Sequence, residues 1–223
     1  MNIHNYKFEY KGLNFYQNVY YPTINTSNVI KKMLNDKVWE EKAVNIFMDN
    51  ISNDDVVIDC GAYVGTHTLI LSRLSAKVYA FEPQKLVFDC LENTFKNNDN
   101  VILYNKALYN KKGELSIGIS GNDGSSAILE CRKRTFDNNY VVECDMLDNY
   151  EFDKVDFIKI DTEGAEFKIL EGAVKTIEKH RPKIIIEVFK HRKKYLLKWL
   201  KDNDYEIKQV LNQENYYIIP CKK

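Results

Sequence analysis

Short apolar runs alternate with amphipathic segments from residue 55 onward, and this alternation constrains the fold more than any other feature of the chain. The apolar runs are Val56–Ile58, Lys77–Phe81, Val101–Tyr104, Asp156–Ile160 and Lys183–Glu187. The segments with helical periodicity between and after them are Thr66–Ser75, Lys85–Asn97, Ala165–Lys179 and Arg192–Asp202. Parallel strands are buried on both faces and are connected by crossover helices. The pattern therefore predicts an α/β fold with a doubly wound, mostly parallel sheet.

The segments that flank this alternation predict three additions to the sheet. Near the C-terminus, Tyr205–Leu211 and Asn215–Ile219 predict an antiparallel hairpin at the sheet edge. Residues 107–150 carry several glycines and a strand-like run, which predicts a β-rich insertion at the strand ends. Residues 1–50 predict a hairpin followed by an amphipathic helix. We therefore expect an N-terminal cap over residues 1–50 and a main domain over residues 51–223.

Composition excludes some function classes and disfavours others. Lys+Arg and Asp+Glu both number 32, so the net charge is zero and no broad positive surface attracts DNA; RNA is disfavoured for the same reason. The five cysteines form no CxxC pair, which argues against a zinc site or a disulfide framework. The N-terminus has no apolar signal region, and no apolar stretch is long enough to cross a membrane. We therefore expect a soluble, cytoplasmic protein without a membrane partner.

The first candidate motif joins the end of one strand to the start of the next helix. It reads Asp59-Cys-Gly61-Ala62-Tyr63-Val-Gly65-Thr-His-Thr68, a DxGxxxG spacing instead of the GxGxxG of a dinucleotide loop. Glycine permits a positive φ and lets the backbone approach a ligand closely. An acid at the strand end disfavours a phosphate and suits the ammonium of a methionine moiety. The alternative interpretation is a tight turn with an acid that caps the helix.

Two further segments follow the next two strands. Glu82-Pro83 ends a strand 17 residues after Gly65, close to the spacing of about 20 expected for an acid that binds ribose hydroxyls. Lys106-Ala107 ends the third strand, where backbone groups can border an adenine ring. A solvent-exposed strand end and an ordinary loop are the respective structural alternatives.

The fourth segment brings acids to the carboxyl end of another strand. Asp161 follows the strand, and Glu163 and Glu166 follow within a few residues. We expect Asp161 and Glu163 near the reacting atoms, and we expect Glu166 to complement the helix dipole. Lys159 is expected to alternate away from Asp161 along the strand. Glu187 ends the fifth strand and His191 follows it; both are further candidates.

Together these segments resemble the FkbM-type methyltransferases over roughly residues 38–190. The resemblance rests on IDCGAYVGTHT, AFEP, NKALYN, GNDGSSAIL, FIKIDTEGAEFKILEGA and PKIIIEVFKH. It implies the class I methyltransferase (Rossmann-like) fold, with seven strands and one reversed edge strand. It also implies S-adenosylmethionine as the cofactor and transfer of a methyl group to a hydroxyl, mostly of sugars or polyketide macrocycles.

The resemblance assigns roles to individual residues. The methionine-side loop would be formed by Asp59, Gly61, Ala62, Tyr63, Gly65 and Thr68. Glu82 and Pro83 would hold the ribose, and Lys106 and Ala107 would border the adenine. Ser125 and Ser126 would close over the cofactor or the acceptor. Independently of the resemblance, the position of His191 beside the fifth strand places it on the acceptor side. Tyr63 departs from the family, which usually has a small polar residue at this position.

The sequence leaves the proton acceptor and the acceptor molecule open. The candidate general bases are Glu163, Asp161, Glu187 and His191. Clustered carboxylates could instead hold a divalent cation that lowers the pKa of the acceptor hydroxyl. A sugar or glycan acceptor is favoured; the alternatives are an RNA ribose or other nucleic-acid methyltransferase and a catalytically degenerate interaction protein. Tyr20-Tyr21 and Trp39-Glu40 could roof the pocket, and oligomeric state is not determined.

Overall fold

The computed structural model describes residues 1–22, 28–119, 126–131, 136 and 138–222. Of the two predicted acceptor-side serines, Ser125 lies outside the described residues and Ser126 is described only in its backbone. No helix among the described residues is long and apolar enough to cross a membrane.

The elements follow one another along the chain in a largely alternating order. The strands are β1 (Asn2–Tyr10), β2 (Leu13–Tyr21), β3 (Val56–Cys60), β4 (Lys77–Phe81), β5 (Val101–Tyr104), β6 (Ala107–Leu108), β7 (Gly113–Ile119), β8 (Ser126–Ile128), β9 (Asn138–Asp145), β10 (Phe157–Ile160), β11 (Lys183–Glu187), β12 (Tyr205–Val210) and β13 (Asn215–Pro220). The α-helices are α1 (Asn28–Met33), α2 (Glu41–Asn50), α3 (Thr66–Leu74), α4 (Lys85–Phe95), α5 (Glu166–Glu171), α6 (Val174–His180) and α7 (Lys193–Asp202).

A seven-stranded sheet in the order β12-β13-β11-β10-β3-β4-β5 forms the centre of the protein. The pairs from β11 through β5 are parallel, whereas β13 is antiparallel to both β11 and β12. All four residues of β10 are buried, as expected for a central parallel strand. The predicted doubly wound α/β fold is confirmed. The reversed strand is β13, which lies second from the edge, and β12 occupies the edge itself.

The predicted helix over Ala165–Lys179 is divided into α5 and α6. The break occurs at Gly172, where a Cβ atom would lie 2.0 Å from the carbonyl oxygen of Tyr109. The backbone of the chain after β6 therefore packs directly against this point. The helical periodicity of the sequence continues through the break, so periodicity alone could not reveal it.

The N-terminal elements share a hydrophobic core with the sheet. Phe15 and Val19 of β2 and Phe47 of α2 belong to the same buried cluster as Val57 of β3 and Leu69 of α3. This packing fixes the turn between α1 and α2, which contains Trp39 and Glu40, against the body of the protein.

The segment after β5 forms a separate four-stranded sheet in the order β6-β9-β7-β8. Its buried residues include Ala107, Ile117 and Ile128, which pack with Ala165 at the start of α5. The insertion thus covers part of the carboxyl edge of the central sheet. That edge is where open α/β sheets place their binding sites.

Candidate active site

A cavity of about 300 Å³ opens at the carboxyl ends of β3, β4, β10 and β11. This volume is at the lower end of the range for small-molecule pockets. The lining residues are Asn28, Val29, Trp39, Glu40, Cys60, Gly61, Ala62, Tyr63, Thr66, His67, Phe81, Glu82, Pro83, Lys106, Ala107, Leu108, Ile117, Ala127, Ile128, Lys159, Asp161, Thr162, Glu163, Ala165 and Glu187. The cavity therefore contains most of the predicted site residues and, in addition, residues of the N-terminal segment.

The loop after β3 is held close to both neighbouring strand ends. The backbone N–H groups of Gly61 and Ala62 both donate to the carbonyl oxygen of Phe81, each at 3.0 Å. Gly61 has φ +82°, and a Cβ atom on it would lie 2.0 Å from the carbonyl oxygen of Asp161. Only glycine fits this position, because both the positive φ and the close approach exclude a side chain.

Glu82 lies in the wall of the cavity and is 5% exposed. One carboxylate oxygen accepts the N–H of Tyr63 at 3.0 Å, and the other accepts the N–H of Gln84 at 2.9 Å. Burial raises the pKa of Glu82 to about 7, although these two hydrogen bonds oppose the rise. A carboxylate has about four acceptor positions, so about two remain for a ligand.

Asp59 does not present its carboxylate to the cavity, contrary to the sequence-based prediction of direct contact with a ligand. The side chain is fully buried and is not among the lining residues. Its two oxygens accept hydrogen bonds from the Thr68 hydroxyl at 2.7 Å and from the Lys159 ammonium at 3.1 Å. The charge of Asp59 is thus compensated inside the protein.

Lys159 lies on the same side of its strand as Asp161, so the expectation that it alternates away is wrong. Its Nζ atom is 3.8 Å from Asp161 Oδ2 and also donates to the carbonyl oxygen of Gly61 at 3.1 Å. Residues two positions apart on a strand share a face, which is the physical reason for the correction. Burial alone would lower the pKa of Lys159, but the carboxylates of Asp59 and Asp161 outweigh it and hold the pKa above its usual value.

Gly65 and Thr68, two other predicted cofactor residues, also lie behind the cavity wall. Gly65 precedes α3 with φ +87°, and a Cβ atom there would lie 2.5 Å from the ring of Phe95. Thr68 is fully buried and donates its hydroxyl proton to Asp59. Both residues shape the loop without lining the cavity.

Three carboxylates from distant parts of the chain face one another across one end of the cavity: Glu40, Asp161 and Glu187. Burial raises the pKa of Glu187 to about 9, with further contributions from Asp161 and other carboxylates. Burial likewise raises the pKa of Glu40 to about 7, assisted by Asp161 and partly opposed by Lys159. Glu163 also lines the cavity and has a left-handed backbone conformation, with φ +58°.

His67 lies beside Glu40 and is buried. Its Nε2 atom is 3.9 Å from Glu40 Oε2 and 3.4 Å from the carbonyl oxygen of Trp39. Burial, together with the positive charge of Lys159, lowers the pKa of His67 to about 4. The imidazole is therefore neutral near pH 7, and it packs edge-on against Phe47 with ring centroids 5.5 Å apart.

The opposite end of the cavity is mainly apolar. The insertion and the chain after β5 contribute four aliphatic side chains there: Leu108, Ile117, Ala127 and Ile128. Lys106 and Ala107 also line this end, and the Lys106 ammonium lies 3.5 Å from Glu143 and 3.7 Å from Asp145. Pro83, which follows Glu82, completes the wall.

Two other residues differ from their predicted surroundings. His191 is outside the cavity, in a separate groove where its ring stacks on Phe189 at 6.1 Å. Glu166 begins α5 as predicted, but its side chain is buried. One carboxylate oxygen accepts a hydrogen bond from the N–H of Gly164 at 2.7 Å, and Arg192 lies 3.7 Å from the other oxygen.

No three His, Cys, Asp or Glu side chains among the described residues are arranged to ligate one metal ion.

From the sequence, the N-terminal segment was expected only to roof the pocket, through Tyr20-Tyr21 and Trp39-Glu40. Trp39 and Glu40 line the cavity, whereas Tyr20 and Tyr21 do not. Tertiary packing determines the position of the Glu40 side chain. Its carboxylate lies beside His67 of α3 and accepts a hydrogen bond from the side-chain amide of Asn215, on β13, at 3.4 Å. No sequence motif around residue 40 predicts these contacts.

Comparison with known proteins relates the chain to one enzyme family. A sequence model described as the methyltransferase FkbM domain matches residues 59–207. A hexuronic acid methyltransferase, AglP of Haloferax volcanii, is 28% identical over 151 residues, which cover 65% of this chain and 61% of that protein. The match therefore spans about three fifths of the length of this relative.

Solved structures share the architecture at low sequence identity. A methyltransferase FkbM from Methylobacillus flagellatus KT has a TM-score of 0.53 at 20% identity, over 75% of this chain and 44% of that chain. A putative rRNA methylase from Clostridium thermocellum has a TM-score of 0.54 at 13% identity, over 82% of this chain and 96% of that chain. At these identities the likeness concerns the fold alone.

Proposed function

The chain belongs to the FkbM methyltransferase family, and from this membership we propose that it transfers a methyl group from S-adenosylmethionine to a hydroxyl of a sugar or glycan. The family membership supports methyl transfer as the activity, and the solved methyltransferases with the same architecture share the class I fold.

The position of Glu82 is the observation that carries the cofactor assignment. Its carboxylate is fixed by two backbone N–H groups and lies in the wall of the cavity, next to the loop of Gly61. The acceptor positions that remain suit the two hydroxyls of a ribose. A fixed acceptor also orients the bound sugar at little entropic cost, because the side chain is already ordered.

The remaining walls fit the other parts of the cofactor. The apolar end, with Leu108, Ile117 and Ile128, suits the faces of an adenine ring. Bound there, S-adenosylmethionine would supply an electrophilic methyl group on a positively charged sulfur. The loop from Gly61 to Tyr63 also lines the cavity and would hold the methionine part.

The acidic end of the cavity suits a hydroxyl acceptor that must lose a proton. Asp161 lies at the end of β10 with its carboxylate 3.8 Å from Lys159, and we assign it as the proton acceptor. Glu187 holds its proton near neutral pH, because burial raises its pKa to about 9. It can therefore donate a hydrogen bond to the acceptor. Glu163 borders the same space and is assigned to acceptor binding.

The proposal that the acceptor is a sugar rests on the relative AglP, whose name states its substrate class. AglP is a hexuronic acid methyltransferase, and the aligned region covers 65% of this chain. Several carboxylates around one end of a cavity also suit the many hydroxyl donors of a sugar ring. The class of acceptor is thus supported by both sequence relationship and chemistry.

An acceptor screen tests the proposal. The purified chain is incubated with S-adenosylmethionine and, separately, with free sugars, nucleotide sugars, lipid-linked glycans and RNA, and methylated products are detected by mass spectrometry. We expect a methyl ether on a sugar hydroxyl and strong loss of product with Asp161→Asn. Transfer to RNA with no transfer to any sugar would overturn the sugar assignment.

A further inference from the structure

The loop between β10 and α5 has a backbone conformation that residues with side chains rarely adopt. Glu163 and the next residue, Gly164, both have positive φ, +58° and +119°. Glycine adopts such angles readily, but a glutamate does so only where the surrounding structure enforces it. Because Glu163 lines the cavity, the contacts that enforce this conformation also fix the position of a cavity residue.

Glu166 holds this loop from inside the protein. Its side chain is 1% exposed, and its Oε1 atom accepts hydrogen bonds from the N–H of Gly164 at 2.7 Å and from the hydroxyl of Thr162 at 3.3 Å. Its Oε2 atom is buried and has no hydrogen-bond partner among the described residues. A buried acceptor without a partner lowers stability, so fold stability alone does not explain a glutamate at this position. Its two hydrogen bonds to the loop provide a reason for it.

Arg192, the residue before α7, holds the same loop through the next peptide group. Its guanidinium donates a hydrogen bond to the carbonyl oxygen of Gly164, and its Nη1 atom lies 3.7 Å from Glu166 Oε2. The guanidinium also lies over the ring of Phe167, 4.9 Å from the centroid. The peptide groups on both sides of Gly164 are therefore bonded, one to Glu166 and one to Arg192. Neither peptide group can turn without loss of a hydrogen bond to a charged side chain.

We propose that Glu166 and Arg192 are positioning residues that hold Glu163 in the part of the cavity that receives the acceptor. Neither is among the described residues that line the cavity, so their effect on the reaction must pass through the loop. This inference rests on the proposed function, in which Glu163 binds the acceptor. The segment after β11 thus contributes to acceptor binding without contact with the acceptor.

Arg181 offers a matched control, because it makes the same kinds of contact away from the cavity. Its guanidinium donates to the carbonyl oxygens of Asn203 and Asp204, at 2.7 and 2.6 Å. It also lies 4.6 Å from the ring centroid of Tyr205. Arg181 precedes β11, whereas the cavity opens at the carboxyl end of that strand. A purely structural arginine and a positioning arginine can therefore be compared in one protein.

Steady-state kinetics with the sugar that gives the most product in the acceptor screen test the proposal. We expect Arg192→Met to raise the KM for this sugar about tenfold, the effect of one lost hydrogen bond between Glu163 and the acceptor. The kcat should stay within about threefold of wild type, because binding is lost equally in the ground state and the transition state. Arg181→Met should leave the KM unchanged. Thermal unfolding first establishes that each variant is folded, and Arg192→Lys, which keeps the charge and a donor, should restore part of the loss.

A double-variant cycle tests whether Arg192 and Glu166 act through Glu163. In the Glu163→Ala background, Arg192→Met should change the KM less than about twofold, because the residue that it positions is gone. Glu166→Ala should raise the KM by a factor similar to that of Arg192→Met, and it should likewise have little effect in that background. Glu166→Gln keeps an oxygen acceptor for the N–H of Gly164 and should recover part of the loss.

The failures of this inference and of the proposed function are distinguishable. If the wild type methylates a sugar, but Arg192→Met leaves the KM unchanged or raises it by the same factor with and without Glu163, the positioning role is overturned and the function stands. A comparable rise of the KM in Arg181→Met would overturn the role as well, because the effect would then follow from stability alone. If the folded wild type methylates none of the sugars, the proposed function is wrong and this inference falls with it.

Discussion

The ammonium of Lys159 lies 3.1 Å from the carboxylate of Asp59, and the two residues are paired across the neighbouring strands β10 and β3. Both side chains are buried, at 4% and 0% exposure. Lys159 also donates to the carbonyl oxygen of Gly61. The pair thus holds the loop that follows β3 in place, and of its two residues only Lys159 lines the cavity.

Removal of the Lys159 charge should destabilise the protein strongly. Lys159→Met leaves the buried Asp59 carboxylate without its counter-charge, and such a change costs about 3–5 kcal/mol of unfolding free energy. Urea denaturation followed by circular dichroism measures the difference. The double variant Asp59→Asn, Lys159→Met should recover most of the loss, because no buried charge remains unpaired. Equal destabilisation by the single and double variants would contradict this account.

Gly61→Ala should disrupt the loop, whereas Gly12→Ala should cause only a small loss of stability. The two glycines have similar φ values, +82° and +77°, but a Cβ atom at Gly61 would meet the Asp161 carbonyl at 2.0 Å and one at Gly12 meets nothing within 4 Å. The Gly12 variant therefore reports the cost of the positive φ alone, about 1 kcal/mol. We expect the Gly61 variant to lose more stability and to lose cofactor binding as well. Similar stabilities for the two variants would show that the close approach is unimportant.

Glu82 should make stability fall as the pH rises from about 4.5 to 7. Burial raises the pKa of the folded group to about 7, whereas the unfolded group titrates near 4.5. The folded state therefore binds the proton more tightly, and this contribution is fully present below about pH 4.5 and lost as the pH approaches 7. Replacement by Gln removes the titration, so the stability of Glu82→Gln relative to wild type should rise by up to about 3 kcal/mol between pH 4 and pH 8. A difference that does not vary with pH would contradict the assignment.

Asp161 and Glu187 should differ in their effects on turnover. Asp161→Asn removes the proposed proton acceptor, so the rate should fall by about 10²- to 10⁴-fold. Glu187→Gln resembles the protonated form that predominates near neutral pH, because burial raises the Glu187 pKa to about 9. Its kcat should therefore stay within a few-fold of wild type, with the main change in the KM for the acceptor. The reverse order of effects would exchange the two roles.

The sequence predicted the strands of the sheet more closely than the contacts between their side chains. Lys77–Phe81, Val101–Tyr104 and Lys183–Glu187 begin and end as their apolar runs predicted, because buried parallel strands have a simple pattern. The division of α5 from α6 was missed, since it depends on the approach of the Tyr109 backbone to Gly172. A contact of this kind, between segments far apart in the chain, leaves no periodic signal.

The candidate site was predictable where it follows from strand ends. The acids Glu82, Asp161 and Glu187 reach one cavity because parallel strands end at the same edge. The partner of Asp59 was not predictable, because Lys159 lies 100 residues away and reaches it through strand register. The position of Glu40 in the cavity depends on how the N-terminal segment packs on the sheet, and no sequence motif predicts that packing.

Calorimetric titration of the wild type and Glu82→Ala with S-adenosylmethionine and S-adenosylhomocysteine determines whether this cavity is the cofactor site. We expect micromolar binding of both ligands to the wild type. We also expect severe loss of binding in a folded Glu82→Ala variant, because that change removes the fixed acceptor in the cavity wall. Absence of binding to folded wild-type protein, or equal binding by the variant, would contradict the assignment of this cavity to the cofactor.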